Sequence, residues 1–395
     1  MSKLGKLSLA IASAGFLVLA AASQAKSVTL EYDSSIGTPG FGPGQLFVPQ
    51  GIAVNNEGNV YVSNGRGVNP DGSFNPNLGN KVEIFNPKGD YIGAVGSGGK
   101  GPGQFDEPTV PEFSPTTGNL YVGDVYNNNI KIFDPQGNFI KSFGSFTPLT
   151  PDRAFFGPSG ESFDKAGNLY VGDFTGDKIN KYTADGELLG SIGTSGTGLG
   201  QLQGPAGLRV SQNTGNIYVA DQYNNRVQVL DPSGKGLISF GTKGSGDGQF
   251  FEPIGLELDQ EDNVYVADKA NSRVQVFDKN GKFLTAYGQP ALDASGKIVP
   301  PPGLTDPPFG KPLDLAPGRF NWTGGTALKD GKLYVGDFFQ GRVQVLKVNT
   351  AAKVPESTPV VGLGLLAAIA AASTLKKRSS KSVLDLTKKL EKTAV

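Results

Sequence analysis

Apolar and polar positions alternate in short runs that return again and again between residues 27 and 350. The clearest run is Asn216–Asp231. Its pattern predicts two short strands, Ile217–Ala220 and Arg226–Leu230, joined by a polar Asp/Asn turn. The same phrase recurs as Asn119-Leu120-Tyr121-Val122-Gly123-Asp124, Asn168-Leu169-Tyr170-Val171-Gly172-Asp173, Asn263-Val264-Tyr265-Val266-Ala267-Asp268 and Lys332-Leu333-Tyr334-Val335-Gly336-Asp337. A weaker copy is Asn59-Val60-Tyr61-Val62-Ser63-Asn64. From Tyr121 to Tyr265 the tyrosines are spaced by 49, 48 and 47 residues, with longer gaps at both ends of the array. A self-similar unit of this length, made of strands and turns, predicts a propeller or a solenoid.

Each unit has a common punctuation. A Gly-Gln-Phe/Leu turn opens it at Gly44-Gln45-Leu46, Gly103-Gln104-Phe105, Gly200-Gln201-Leu202 and Gly248-Gln249-Phe250. A Pro and a nearby Gly then start an innermost strand: Pro49/Gly51, Pro158/Gly160, Pro205/Gly207 and Pro253/Gly255. The Tyr-Val strand, a Val-Gln-Val-type strand and an outer strand ending in Gly complete the unit. The sixth unit stops at Leu346 without an outer strand, while Val28-Thr29-Leu30-Glu31-Tyr32 is a strand without a unit. Its phase matches Phe139–Gly144 and Phe283–Gly288, so the N-terminal strand is expected to close the ring and remove exposed sheet edges.

These residues resemble NHL repeats over roughly residues 38–347, with units at about 38–96, 97–145, 155–193, 198–242, 244–288 and 320–347. The resemblance implies an all-β fold, a six-bladed propeller of four-stranded blades around a central channel. The propeller is expected over 26–350. Two stretches interrupt it: Gly65–Gly79 between the second and third strands of unit one, and Gln289–Arg319 between units five and six, the latter with no strand pattern. In the usual propeller order both emerge on one face, on neighbouring units, and should sit near each other. Such a rim is where binding residues often lie, with Asp71 and Trp322 as candidates. The alternative is that both insertions are tolerated surface loops.

The two ends differ from the body. Residues 1–25 pair Lys3 and Lys6 with an apolar run, Leu9 to Ala22, and the small residues of Ser23-Gln24-Ala25, the layout of a secretory signal peptide. After Val354-Pro355-Glu356-Ser357 comes an apolar segment, 360–375, then Lys376-Lys377-Arg378. Sixteen helical residues span about 24 Å, somewhat less than a bilayer core of roughly 30 Å. The tail resembles a PEP-CTERM sorting signal, with Ser357 where that motif has a second proline. The resemblance implies an exosortase-type sorting enzyme as a partner. A plain C-terminal membrane anchor is the other reading. Either one predicts an exported protein in the cell envelope or at the outer surface, held at the membrane at least transiently.

Composition narrows the chemistry. There is no cysteine, hence no disulfide or thiolate, and no histidine, hence neither the commonest general base nor the commonest zinc ligand. Residues 27–350 carry 25 basic and 33 acidic side chains, a net of −8, which disfavours nucleic acid as a partner. Asp124, Asp173, Asp221, Asp268 and Asp337, with Asn64 in unit one, should form a ring near one face. Converging carboxylates can hold a divalent cation such as calcium. An Asp that repeats with its turn more simply accepts backbone N–H groups and pairs with the Arg five residues on (Arg226, Arg273, Arg342). On the innermost strands, Glu112, Arg209 and Glu257 share one position and Glu161 lies one residue earlier in its unit. They are candidate ligand contacts in a polar channel, or inter-blade pairs such as Arg209 with Glu257. Trp322, the sole tryptophan, could stack on a flat ligand or pack.

The sequence supports a non-enzymatic propeller that binds a ligand, a protein or an extracellular polysaccharide, and it assigns no cofactor and no catalytic residue. The alternative is a propeller hydrolase or lyase with a carboxylate-lined, metal-dependent channel.

Overall fold

The computed structural model describes residues 26–352 apart from 70, 72, 151–156 and 301–312. The signal peptide and the C-terminal segment 360–375 lie outside the described residues, and no helix among the described ones is long and apolar enough to cross a membrane. Residues Val28–Thr350 form one compact unit. Its strands make six antiparallel four-stranded sheets arranged as six blades. Blade four shows the plan: inner strand Pro205–Val210, second strand Ile217–Asp221, third strand Arg226–Leu230 and outer strand Gly236–Phe240. The other inner strands are Pro49–Val54, Pro108–Phe113, Pro158–Phe163, Pro253–Leu258 and Thr323–Lys329.

The N-terminal strand Lys26–Ile36 is the fourth strand of blade six, hydrogen-bonded to Arg342–Ala352. Lys332 and Lys347 each bring Nζ to 3.0 Å from the Asp33 carboxylate, holding that carboxyl below its usual range. Ring closure as expected from the orphan strand is therefore what the chain does.

Alternation on the second strand explains where the core sits. Leu120 and Val122 turn back towards blade one and pack with Tyr61 and Val82, while Tyr121 between them turns forward onto Phe163 and Tyr182 of blade three. Repeated around the ring, this divides the buried apolar side chains among six clusters, one at each blade seam. The last joins Val343 and Val345 of blade six to Ile52 and Val60 of blade one. The inner strands meet backbone to backbone. A methyl group added at Gly207 would lie 2.1 Å from the Ile254 carbonyl oxygen, and one at Gly325 would lie 2.5 Å from that of Gln50. Only glycine fits there, which accounts for the Pro-x-Gly signature.

The two insertions both belong to the face that carries the Asp turns. The first is not a loose loop: Val60–Val68 and Phe74–Phe85 continue as one long hairpin, with Arg66 opposite Gly79 and Val68 opposite Phe74. It leans onto blade two, where Arg66 Nε donates to Asp106 Oδ1 at 2.7 Å and the guanidinium lies 4.2 Å from the Tyr126 ring centroid. Of the second, Gln289–Pro290 and Ile298–Val299 lie beside the Asn271–Arg273 turn and Trp322, at the seam of blades five and six. Contrary to the expectation of no strand, Gln289–Pro290 pairs in parallel with Arg319–Phe320, as Thr194–Ser195 pairs with Gln201–Leu202 in blade four. The Asp314 N–H donates to Gln340 Oε1 at 2.8 Å.

Candidate binding channel and rim

Glu112, Arg209 and Glu257 each occupy the penultimate residue of an inner strand, opposite Tyr121, Tyr218 and Tyr265. That register places all three at the end of the channel away from the Asp turns. There they join. Arg209 grips Glu257 with two parallel hydrogen bonds, Nε to Oε2 at 2.8 Å and Nη2 to Oε1 at 2.6 Å. The same Nη2 lies 3.6 Å from Glu112 Oε2, and Nη1 donates to the Glu161 carbonyl at 2.7 Å. Arg209 thus ties blades two, three, four and five together in a charged floor. Burial pushes the Glu112 and Glu257 carboxyls upward against the pull of the guanidinium, and their charges hold Arg209 firmly cationic.

Glu161 is different from its three neighbours. Its register position, opposite Val171, is the one that Ile52, Leu208 and Leu256 fill in blades one, four and five. It therefore faces the seam with blade two instead of the channel floor, close to Gly123. The side chain is fully buried and neither carboxylate oxygen has a hydrogen-bond partner. Desolvation, reinforced by the nearby Glu112 charge, raises its pKa well above the ordinary carboxylate value.

The ring of Asp124, Asp173, Asp221, Asp268 and Asp337 is buried, and its oxygens are engaged by the protein itself. Asp268 accepts the Phe251 N–H at 2.7 Å, Arg273 Nε at 2.9 Å and Gln275 Nε2 at 3.0 Å. Asp221 and Asp337 repeat this with Gln203 and Arg226, and with Asn321 and Arg342. Asp124 accepts the Asp106 N–H and pairs with Lys131 at 3.0 Å, while Asp173 accepts the Thr147 N–H. In blade one, Asn64 does the same for Phe47. Each side chain anchors the connection that enters its own blade. No group of three metal-ligating side chains converges among the described residues.

One feature of the rim has no counterpart in the motifs read from the sequence. The residue just before each inner strand has a left-handed backbone: Val48, Glu107, Gly157, Gly204, Glu252 and Trp322, with φ between 50° and 76°. Glycine belongs there, and four units place a larger side chain at the channel mouth at a conformational cost of about 1–3 kcal/mol each. The signal was available in the position immediately before each inner strand, where units three and four carry Gly157 and Gly204. Glu252 accepts Lys269 Nζ at 2.7 Å, and Lys269 Nζ in turn lies 4.3 Å from the Trp322 ring centroid. Trp322, half-buried, also meets Phe339 at 5.4 Å. Glu107, three blades from Glu252, accepts Gln50 Nε2 at 2.8 Å, and desolvation raises its pKa to about 7. Beside Trp322 a groove of about 420 Å³ opens between the Asn271–Arg273 turn, Gln289–Pro290 and Ile298–Val299. Asp71 sits apart from all of this, exposed at the tip of the blade-one hairpin, where its Oδ1 accepts the Ser73 N–H and hydroxyl.

A family model for the NHL repeat matches residues 202–230 and 250–277, which hold the first three strands of blades four and five. No curated protein matches the sequence. A protein of unknown function from Bacteroides thetaiotaomicron shares 16% identity and a TM-score of 0.54, over 82% of this chain and 76% of its own. An auxiliary nutrient binding protein from the same organism shares 13% identity and a TM-score of 0.54, over 82% and 77%. A catalytically inactive virginiamycin B lyase from Staphylococcus aureus, solved with quinupristin, shares 14% identity and a TM-score of 0.49, over 81% and 99%. At such identities the likeness is one of fold. The chain is a six-bladed β-propeller in which blades four and five carry recognisable NHL repeats.

Proposed function

We propose that this propeller is a non-enzymatic binding scaffold whose ligand docks on the face bearing the Asp turns. One observation carries the reading. The channel-floor carboxylates are bound to Arg209, whereas the opposite mouth holds Glu252 and Trp322 on a strained backbone, with Lys269 between them. A hydrolytic pair needs two carboxyls facing a shared space with room for water or substrate, and Glu161 faces a blade seam while Glu112 and Glu257 face a guanidinium. Strained residues on a rigid scaffold are more often kept for recognition. The fold does not choose between binding and catalysis, since folds host many functions.

The scaffold acts outside the cytoplasm in this reading. The ring-closing strand begins at Lys26, directly after the expected cleavage point at Ala25, so processing leaves the propeller intact. The apolar tail tethers it, with an exosortase-type enzyme as the sorting partner, and the ligand is a protein or an extracellular polysaccharide. No divalent cation is required. The test is a thermal-shift titration of the purified full chain against calcium and magnesium, then oligosaccharides and peptides. A midpoint that climbs with an organic ligand and ignores the metals supports the scaffold. A metal-dependent rise that is lost in Glu112→Gln overturns it in favour of a channel enzyme.

A further inference from the structure

The groove at the seam of blades five and six offers an aromatic wall with no unbalanced charge. Its flanking cations each have a carboxylate partner: Lys269 has Glu252 at 2.7 Å, Arg273 has Asp268 at 2.9 Å, and Arg319, beside Gln289, has Asp314 at 3.8 Å. Arg273 also donates to the carbonyls of Gly246 and Gln249, which completes its fork. An acidic or basic ligand therefore meets only charges that already have an opposite partner. The rest of the lining combines Pro290, Ile298 and Val299 with the amides of Asn271, Gln289 and Asn321. Asn271 Nδ2 donates to Asp268 and the Gly244 carbonyl, and Asn321 Nδ2 donates to the Pro300 carbonyl, so each retains its Oδ1 as an acceptor. Gln289 is exposed, and its Oε1 accepts Arg319 Nη1 at 2.9 Å, which leaves its NH₂ as a donor. Trp322 supplies the apolar face, on a left-handed backbone whose main-chain N–H donates to the Ser272 hydroxyl at 3.2 Å. A volume of about 420 Å³ falls within the range of small-ligand sites.

We infer that this groove is a subsite for a neutral saccharide, with a sugar ring laid on Trp322 and its hydroxyls shared between Gln289 and the Asn271 and Asn321 carbonyls. Hydroxyls donate and accept at once, which suits a wall of amides, and the C–H face of a pyranose suits an indole. A proline-rich peptide is the competing occupant. The inference rests on the scaffold reading above and narrows its ligand.

The sole tryptophan lies in the groove, so its fluorescence reports on this subsite without interference from another indole. The experiment titrates the full chain with maltotriose, cellotriose and chitotriose, with trigalacturonate as the acidic comparison and a proline-rich decapeptide as the alternative. The expected result is a saturable emission change with at least one neutral trisaccharide and none with trigalacturonate. Gln289→Ala, which keeps Trp322, is expected to weaken binding about five- to tenfold, as one lost hydrogen bond should. A change with the peptide alone overturns the saccharide assignment and leaves the scaffold reading standing. So does a midpoint shift with a saccharide that leaves Trp322 emission unmoved, since the ligand then sits elsewhere. Silence in both readouts with every probe overturns the saccharide assignment, and the metal titration then decides the wider reading separately.

Discussion

Arg209 of blade four and Glu257 of blade five share two parallel hydrogen bonds of 2.8 and 2.6 Å across the far end of the channel. Both side chains are largely buried, so the pair joins two blades with little exposure to water. Removing one partner strands the other. Arg209→Met is expected to cost about 3–5 kcal/mol in denaturant unfolding, because Glu257 keeps its burial and loses its counter-charge. Adding Glu257→Leu should recover most of that loss. Neither variant should change binding at the opposite mouth. If ligand affinity fell with Arg209→Met in protein that remains folded, the floor would belong to the site.

Glu161 gives the fold a pH dependence with a definite sign. Its carboxyl binds a proton more tightly in the native seam than in the unfolded chain, whose ordinary value is 4.5. Stability from this group is complete below pH 4.5 and declines as pH rises through the higher native pKa. Glu107 and Asp337, each raised to about 7 by burial, act in the same direction between roughly pH 4 and 7. The thermal midpoint should therefore be higher at pH 5 than at pH 8. Glu161→Gln should flatten that slope and raise the midpoint at pH 8. An unchanged slope in this variant would mean that Glu161 is ionised in the folded protein.

Asp268 illustrates the anchoring ring. Asp268→Ala would orphan Arg273 and free the Phe251 N–H, and is expected to destabilise by about 3–5 kcal/mol. Asp268→Asn should cost less, since Asn64 performs the same anchoring in blade one. Millimolar calcium should leave the midpoint of the wild type unchanged. A calcium-dependent rise that Asp268→Asn abolishes would return the ring to the status of a cation site.

At the mouth, strain and recognition separate experimentally. Val48→Gly should stabilise by about 0.5–1 kcal/mol or be neutral, because a β-branched residue leaves a left-handed position at φ 50°. Trp322→Gly relieves the same strain at φ 62° while removing the aromatic wall. Calorimetry should find it folded with a midpoint near that of wild type and with ligand affinity reduced at least about tenfold. Loss of folding in Trp322→Gly would show that the indole serves packing first.

Much of this fold is legible in the sequence because a propeller repeats its local rules. The Tyr-Val phrase marks every second strand, and the orphan strand at Val28 reveals the closure through its phase alone. The role of the Val-Gln-Val glutamines was not legible. Gln228, Gln275 and Gln344 are fully buried, because a propeller blade is covered on both faces. Gln275 Nε2 bridges Asp268 and the Gln249 carbonyl there, while its Oε1 accepts the Gly248 N–H. The pairing of Arg209 with Glu257 was foreseeable from their shared strand position one blade apart. Glu161 was grouped with them by proximity in sequence, and the one-residue offset turned it to the other side of the strand. The left-handed rim shows in the sequence only at Gly157 and Gly204, because φ is not written in residue type when the residue is Val, Glu or Trp.

The most direct test of binding without catalysis is to hold the full chain with an excess of whichever trisaccharide or peptide shifts its midpoint, measure saturation by calorimetry, and then weigh the recovered ligand by mass spectrometry. Saturable binding with a ligand mass unchanged after prolonged incubation is the predicted result. A ligand that binds and returns cleaved or unsaturated would contradict the scaffold and make the channel an active site.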